Sequence, residues 1–447
     1  MISTIAATSV VDGAPGAPVS IEARSTELSE TLRQQLTQRS NDAVAAFYRK
    51  RGFAPLWFDP EGLRPEARFL VAMLAGARAD GLDPFRPGAG KLRAAADRPA
   101  HSNDATTELA LSAALVDYVT ALRASTRPMI YVEPLRRGPL PSAEDVLARA
   151  AAAPSLSGYL ATVVHLNPVY DRLRAAYAAE LAAAPVPRER MARIEANLDR
   201  ARDLPSDPAD RYALVNTATA TLHMIEGDRD TATMRVVIGK AAMPTPMIAA
   251  SIGFAVVNPY WNLPPDLMAH RAATIARDGP GLLEQQQLEL LSDWTPSARR
   301  IEASQVDWHA VAAGTVQLRA RQMPGPRNMM GRMKFMLPNR LGIYLHDTPD
   351  KAAFRRSDRR LSSGCVRVED APRLARWLFR GSMPAADGTA EQRFDLPAPV
   401  PVYITYLTAV VRDGRITLRP DVYGRDLPIG AGARADGRSA RAERATS

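Results

Sequence analysis

The chain has 447 residues, a formal net charge of +9 and 46% hydrophobic residues, enough for two or three domains with real cores. It contains no apolar run of the roughly eighteen residues that a membrane span needs, and no helix-turn-helix, RNA-binding or zinc-finger signature. Nucleic acid is therefore the least favoured partner for the excess charge, and an acidic polymer fits it better. A single cysteine excludes an intramolecular disulfide and a multi-cysteine zinc site.

Residues 1–24 are rich in Gly, Pro, Ala and Ser and predict a disordered tail. Met1 to Val11 is mildly apolar but lacks a charged start and is interrupted at Asp12, so no signal peptide is evident. Leu28, Leu32 and Leu36 recur at helical spacing, and Asn41-Asp42 caps a second helix that stops near Gly52. The aromatic stretch from Gly52 to Phe58 reads as packing between helices. Pro65 opens the next helix and Gly81 ends it. Further helices are predicted at about 106–123, 143–152, 156–163, 168–184 and 187–202, so 25–207 forms an all-helical domain.

From Asp210 the texture changes to short strands at 212–216, 221–225 and 234–239, bounded by turn formers such as Glu226-Gly227-Asp228. Residues 266–308 lose the alternation and become helical and charged. A helix over Glu369 to Arg380 has acidic residues and Pro372 at its start and Gly381 beyond its end. Strands at 402–406 and 415–418 close this mostly β domain, 208–425. Residues 426–447, basic and Gly/Ala/Arg-rich from Gly430, predict a second disordered tail. The fold class is α+β.

The chemistry concentrates in two segments. Cys365 sits in Ser362-Ser363-Gly364-Cys365-Val366-Arg367-Val368, nineteen residues after His346. The thiol is either an inert small hydrophobe or a nucleophile. Small residues before it leave the sulfur uncrowded, and Gly364 allows a tight turn that brings N–H groups near a reacting carbonyl. In Ile343-Tyr344-Leu345-His346-Asp347 the alternation of a strand puts the phenol and imidazole on one face. After the cysteine, Val366 and Val368 share one face and Cys365 and Arg367 the other. A thiol with an ordinary pKa near 8.5 is only a few per cent thiolate at neutral pH, so a neighbouring imidazole base makes it useful. Of the six histidines, His101, His165, His223, His270 and His309 lack this setting; His223 reads as a plain strand residue. None forms an H-x-x-x-H or similar metal pair, so no metal site is expected.

These residues resemble the L,D-transpeptidases with a YkuD-type catalytic domain, specifically the long, YcbB-like subgroup. The resemblance rests on Ile343 to Pro349 and Ser362 to Val368. Asn258 to Pro265, Arg321 to Asn328, Lys334-Phe335 and Leu337-Pro338-Asn339 join them in the matching order, over roughly 208–425. It implies a helical scaffold domain at 25–207 and a helical capping subdomain at 266–308 of the catalytic domain. The inserted peptidoglycan-binding module that long members carry has no recognisable pattern between 125 and 190. Cys365 is the implied nucleophile and His346 its base, oriented by a main-chain carbonyl for which Asp347 is the candidate. The oxyanion hole is expected from the N–H groups of Gly364 and Cys365 with the Tyr344 hydroxyl.

Arg367 is read either as a partner for a substrate carboxylate or as a surface ion pair. Ser362 and Ser363 are further substrate-binding candidates. Trp261 and Asn262 either shape the groove or, for Trp261, serve only structure. The implied reaction is acyl transfer on peptidoglycan tetrapeptide stems through a thioester, with loss of D-alanine and a 3→3 cross-link. No cofactor is needed, carbapenems are expected to capture the thiol, and the place of action is the periplasm. A catalytically silent peptidoglycan-binding scaffold and a stem-trimming cysteine peptidase are the alternatives. The oligomeric state is open.

Overall fold

The computed structural model of the protein describes residues 21–37, 42–83, 89–96, 104–295 and 297–426. Most of both predicted tails and His101 therefore lie outside the described residues. Two compact units form: residues up to Leu122 with Leu140–Val164, and Arg123–Pro139 with His165 onward.

The first unit is helical. Helices Ile21–Thr37, Ala43–Lys50, Ala143–Ala152 and Leu156–Thr162 follow the predicted spacing, whereas the helix opened by Pro65 stops at Ala75 and a short 3-10 turn, Ala77–Asp80, leads to Gly81. Asp42 caps the second of these by accepting from Val44 N–H at 2.8 Å, which satisfies an otherwise orphaned donor. The aromatic connector is packed inside: Tyr48 and Trp57 are fully buried. The Glu108 carboxylate accepts from the Tyr48 hydroxyl at 2.5 Å and from the Leu56 and Trp57 N–H groups at 2.5 and 3.0 Å. Those bonds satisfy a carboxylate that would be costly to bury alone.

The second unit is built on a ten-stranded sheet. Its path runs from Met333–Met336 through Leu345–His346, Val366–Val368, Arg229–Gly239, Thr221–Glu226, Arg211–Asn216, Gln392–Thr405 and Ile248–Val257 to Ile130–Tyr131, with Arg360–Ser362 pairing with Arg229–Gly239 off this path. It closes on itself, because Met333–Met336 also pairs with Ile248–Val257. A closed sheet of alternating residues buries one face throughout, here Val236, Ile252, Phe335, Leu345, Val366 and Ile404 among others. Helix Ala371–Leu378 adds Leu374 and Leu378 to that core; Asp370 caps it by accepting from Arg373 N–H at 2.9 Å.

Helices Pro168–Ala183 and Arg188–Ala201 belong with the sheet unit. Buried Arg200 pairs with Asp426 at 2.5 Å, and Asn197 donates to Thr408 at 2.8 Å. Asp426 is thus part of the fold, not of the tail, since a buried guanidinium needs a paired anion. Within the same unit, the segment expected to be a helical cap is a small mixed lobe. Helices Pro265–Asp278 and Trp308–Ala312 pack on a three-stranded antiparallel sheet of Trp261–Asn262, Arg319–Gln322 and Leu288–Leu291. It has a core of its own around Met268, Ile275, Leu290 and Ala320.

Candidate active site

Two parallel strands carry the site. Leu345 pairs with Val366 and His346 with Arg367, so the two segments singled out in the sequence are neighbours in the sheet. Leu345, Val366 and Val368 point into the core, which turns Tyr344, His346, Cys365 and Arg367 to the other face. The Tyr344 and His346 rings lie 5.6 Å apart.

The turn before the cysteine is held by side chains. Ser362 donates its hydroxyl to Cys365 O at 2.6 Å and accepts the Gly364 N–H at 3.2 Å. Gly364 has φ +119°, which only glycine adopts without strain. The Gly364 N–H, expected in the oxyanion hole, has a partner in Ser362, and the hydroxyl of buried Ser362, expected to bind substrate, is engaged in the turn. Ser363 is exposed beside it.

The imidazole is buried, and its Nδ1 lies 2.5 Å from the Asp347 main-chain oxygen. A carbonyl can only accept, so Nδ1 carries the proton and Nε2 is left as the basic nitrogen. The Asp347 carboxylate points away from the ring, accepting from Arg332 N–H at 2.8 Å and from Lys351 Nζ at 2.5 Å. That anchoring fixes the peptide whose oxygen orients His346. Gly331, at φ +61°, makes room for it, since a Cβ there would sit 2.4 Å from the carboxylate.

Burial, then the Arg367 charge, lowers the His346 pKa to about 3. Burial pushes the half-buried Cys365 thiol up, while the Tyr344 main chain and hydroxyl and the Arg367 charge pull the other way. Burial and the neighbouring sulfur push the Tyr344 hydroxyl above its ordinary range. The resting site therefore holds a neutral imidazole and a protonated thiol, which donates to Gly342 O at 3.5 Å. Arg367 is half-buried rather than on the surface, and its buried Nε has no hydrogen-bond partner among the described residues. It is a fixed cation with unspent donor capacity.

Trp261 and Asn262 form a short strand of the mixed lobe. Trp261 packs on the lobe core with the Arg271 guanidinium 5.3 Å from its ring centre, and exposed Asn262 pairs with Arg321. Sequence reasoning missed Thr245, Gly331, Gly342 and Lys351. Only Gly331 and Gly342 left a trace, as glycines flanking the quoted motifs. Among the described residues no group of acidic, histidine or cysteine side chains could hold a metal ion.

Residues 210–404 match the model of the YkuD L,D-transpeptidase catalytic domain, and residues 42–176 match that of the Scaffold domain. A protein of Haemophilus influenzae provisionally named an L,D-transpeptidase is 31% identical over 207 residues, 44% of this chain and 40% of that protein. The match thus spans two fifths of the relative's length. Among solved structures, an L,D-transpeptidase from Mycobacterium smegmatis is 12% identical, covering 44% of this chain and 58% of the other, with a TM-score of 0.21. A mutant L,D-transpeptidase from Enterococcus faecium is 10% identical over 45% and 52% of the two chains, with a TM-score of 0.20. Cys365 and His346 both fall inside the matched catalytic segment. The chain accordingly carries a YkuD-type L,D-transpeptidase catalytic domain at 210–404 and a Scaffold domain at 42–176.

Proposed function

We propose that the protein is a peptidoglycan L,D-transpeptidase in which Cys365 is the nucleophile and His346 the general base. The observation that carries this reading is the Nδ1–H bond to Asp347 O, which leaves a neutral Nε2 on the face shared with the chain's only thiol. Because the resting pair is neutral, proton transfer accompanies attack. The thiol turns from Gly342 O, its proton passes to Nε2, and sulfur bonds to the carbonyl carbon of the diamino-acid residue of a tetrapeptide stem. The Cys365 N–H and Tyr344 hydroxyl stabilise the oxyanion, each donor supplying about 3–4 kcal/mol when aimed at the developing charge.

Collapse breaks the bond to the terminal D-alanine, whose amine takes the proton from imidazolium, and a thioester remains. The amine of a second stem then loses a proton to His346, attacks the thioester and expels the thiolate, which is reprotonated. The product is a 3→3 cross-link. Arg367, on the same face as Cys365 and His346, binds a stem carboxylate through its guanidinium. The mixed lobe at 261–322 covers the bound stem. The place of action is the periplasm; among the described residues no helix is long and apolar enough to cross a membrane.

Intact-protein mass spectrometry with a carbapenem tests the assignment. One adduct is expected on the wild type and none on a folded Cys365→Ala variant. An adduct that persists in the variant would show that another group is the nucleophile.

A further inference from the structure

Thr245 lies in none of the motifs discussed so far, yet it is fully buried against the turn that carries the nucleophile. Its hydroxyl donates to Gly364 O at 2.8 Å and accepts the Gly239 N–H at 2.9 Å. A threonine hydroxyl has one proton and two lone pairs, so this bridge defines its direction fully. Gly239 cannot retreat, since a Cβ there would lie 2.2 Å from Met243 O, and its backbone is packed at contact distance. On the far side the Tyr423 hydroxyl donates to Gly239 O at 2.6 Å. Tyr423 is stacked on Tyr406 with ring centres 5.3 Å apart, and its N–H donates to the Tyr406 hydroxyl at 3.0 Å. Arg425 donates to Thr245 O at 3.4 Å. The carbonyl immediately before Cys365 is thus tied through one hydroxyl to the sheet and to the C-terminal segment.

We propose that Thr245 is a positioning residue for the nucleophile: by bridging Gly364 O and Gly239 N–H it fixes the peptide from which Cys365 projects, and so aims sulfur at the substrate carbonyl. The residue touches no substrate. Its effect is on direction, because the Gly364–Cys365 peptide plane carries both the thiol and the Cys365 N–H. A displacement of about 1 Å in such a plane costs on the order of a hundredfold in rate. Tyr423 acts at one remove, by holding Gly239. The inference rests on the functional reading above.

The test compares Thr245→Val, which keeps shape and loses the hydroxyl, with Thr245→Ser, which keeps the hydroxyl. Two rates are read on each: acylation by a carbapenem, which needs sulfur and oxyanion donors aligned, and alkylation by iodoacetamide, which needs only an accessible thiolate. We expect acylation of the valine variant to fall about 10- to 100-fold with alkylation within about threefold of wild type, and the serine variant to recover most of the acylation. Tyr423→Phe, at a half-buried position, gives a smaller loss of acylation in the same direction and serves if the valine variant does not fold. Undiminished acylation in both Thr245→Val and Tyr423→Phe, equal loss in the serine and valine variants, or parallel loss of alkylation would overturn the inference. Failure of the wild type itself to be acylated, with normal alkylation, would instead overturn the functional reading.

Discussion

Arg367 stands level with His346 across a parallel strand pair, and burial together with that guanidinium keeps the imidazole neutral down to about pH 3. A histidine whose charge is suppressed this far cannot form a resting ion pair with the thiol. It can still accept a proton during attack, when negative charge develops on the substrate oxygen and is stabilised by nearby donors.

The first consequence concerns the pH dependence of thiol chemistry. Iodoacetamide alkylation of Cys365 is expected to rise about tenfold per pH unit through the alkaline range, because burial raises the thiol's pKa. No shoulder is expected near pH 6.5, where an ordinary imidazole titrates. His346→Gln should lower carbapenem acylation by about 10²- to 10⁴-fold while leaving the alkylation slope unchanged. A plateau of alkylation at neutral pH would reveal a preformed ion pair.

The same group sets a stability prediction. The unfolded chain protonates His346 at about 6.5, whereas the folded protein resists protonation to about 3. Between those values the unfolded state binds more protons, so this residue's contribution is complete above about 6.5 and is lost as pH falls toward 3. Thermal melts should show the wild type losing more stability over this window than His346→Gln. Parallel losses in the two proteins would mean that the imidazole is not held neutral by the fold.

The pocket for the Asp347 carboxylate offers a third test. Gly331→Ala places a methyl where the carboxylate lies and imposes a left-handed φ on alanine. A destabilisation of about 1–3 kcal/mol is expected, with carbapenem acylation reduced as the carbonyl that orients His346 shifts. Denaturant titration and acylation kinetics on one preparation check both parts. Wild-type stability would show that the carboxylate moves aside freely.

Much of the site was legible because its signals are local. The alternation from Ile343 to His346 placed Tyr344 and His346 on one face, and the small residues before Cys365 marked a turn. What the sequence hid was where polar groups spend their hydrogen bonds. Ser362 and the Gly364 N–H satisfy one another, which no spacing rule reveals. Thr245 reaches Gly364 from 119 residues away. Trp261 read equally as a groove residue or a structural one, and its pairing with Gln322 and packing on the lobe core became visible only in the fold. Helix Pro168–Ala183 read only as one more alanine-rich helix, and its packing with the sheet unit is a tertiary fact that spacing does not carry.

The lobe itself can be removed in part. Its core is separate from the core of the closed sheet, so replacing 268–305 with a short Gly/Ser linker should leave the sheet folded. Cross-linking of stems is then expected to fall far more than acylation by a small carbapenem, since a lid positions a long substrate and excludes water. Equal losses for both substrates would assign the lobe to supporting the fold or the nucleophile. No loss for either would show that it is not a lid.

The most direct measurement is mass spectrometry of the products formed when the purified protein is incubated with disaccharide-tetrapeptide stems. A transpeptidase acting through Cys365 predicts dimers whose mass equals two stems less one D-alanine, joined between the two diamino-acid residues, and none with Cys365→Ala. Trimmed tripeptide monomers without dimers, or dimers that persist in the alanine variant, would contradict it.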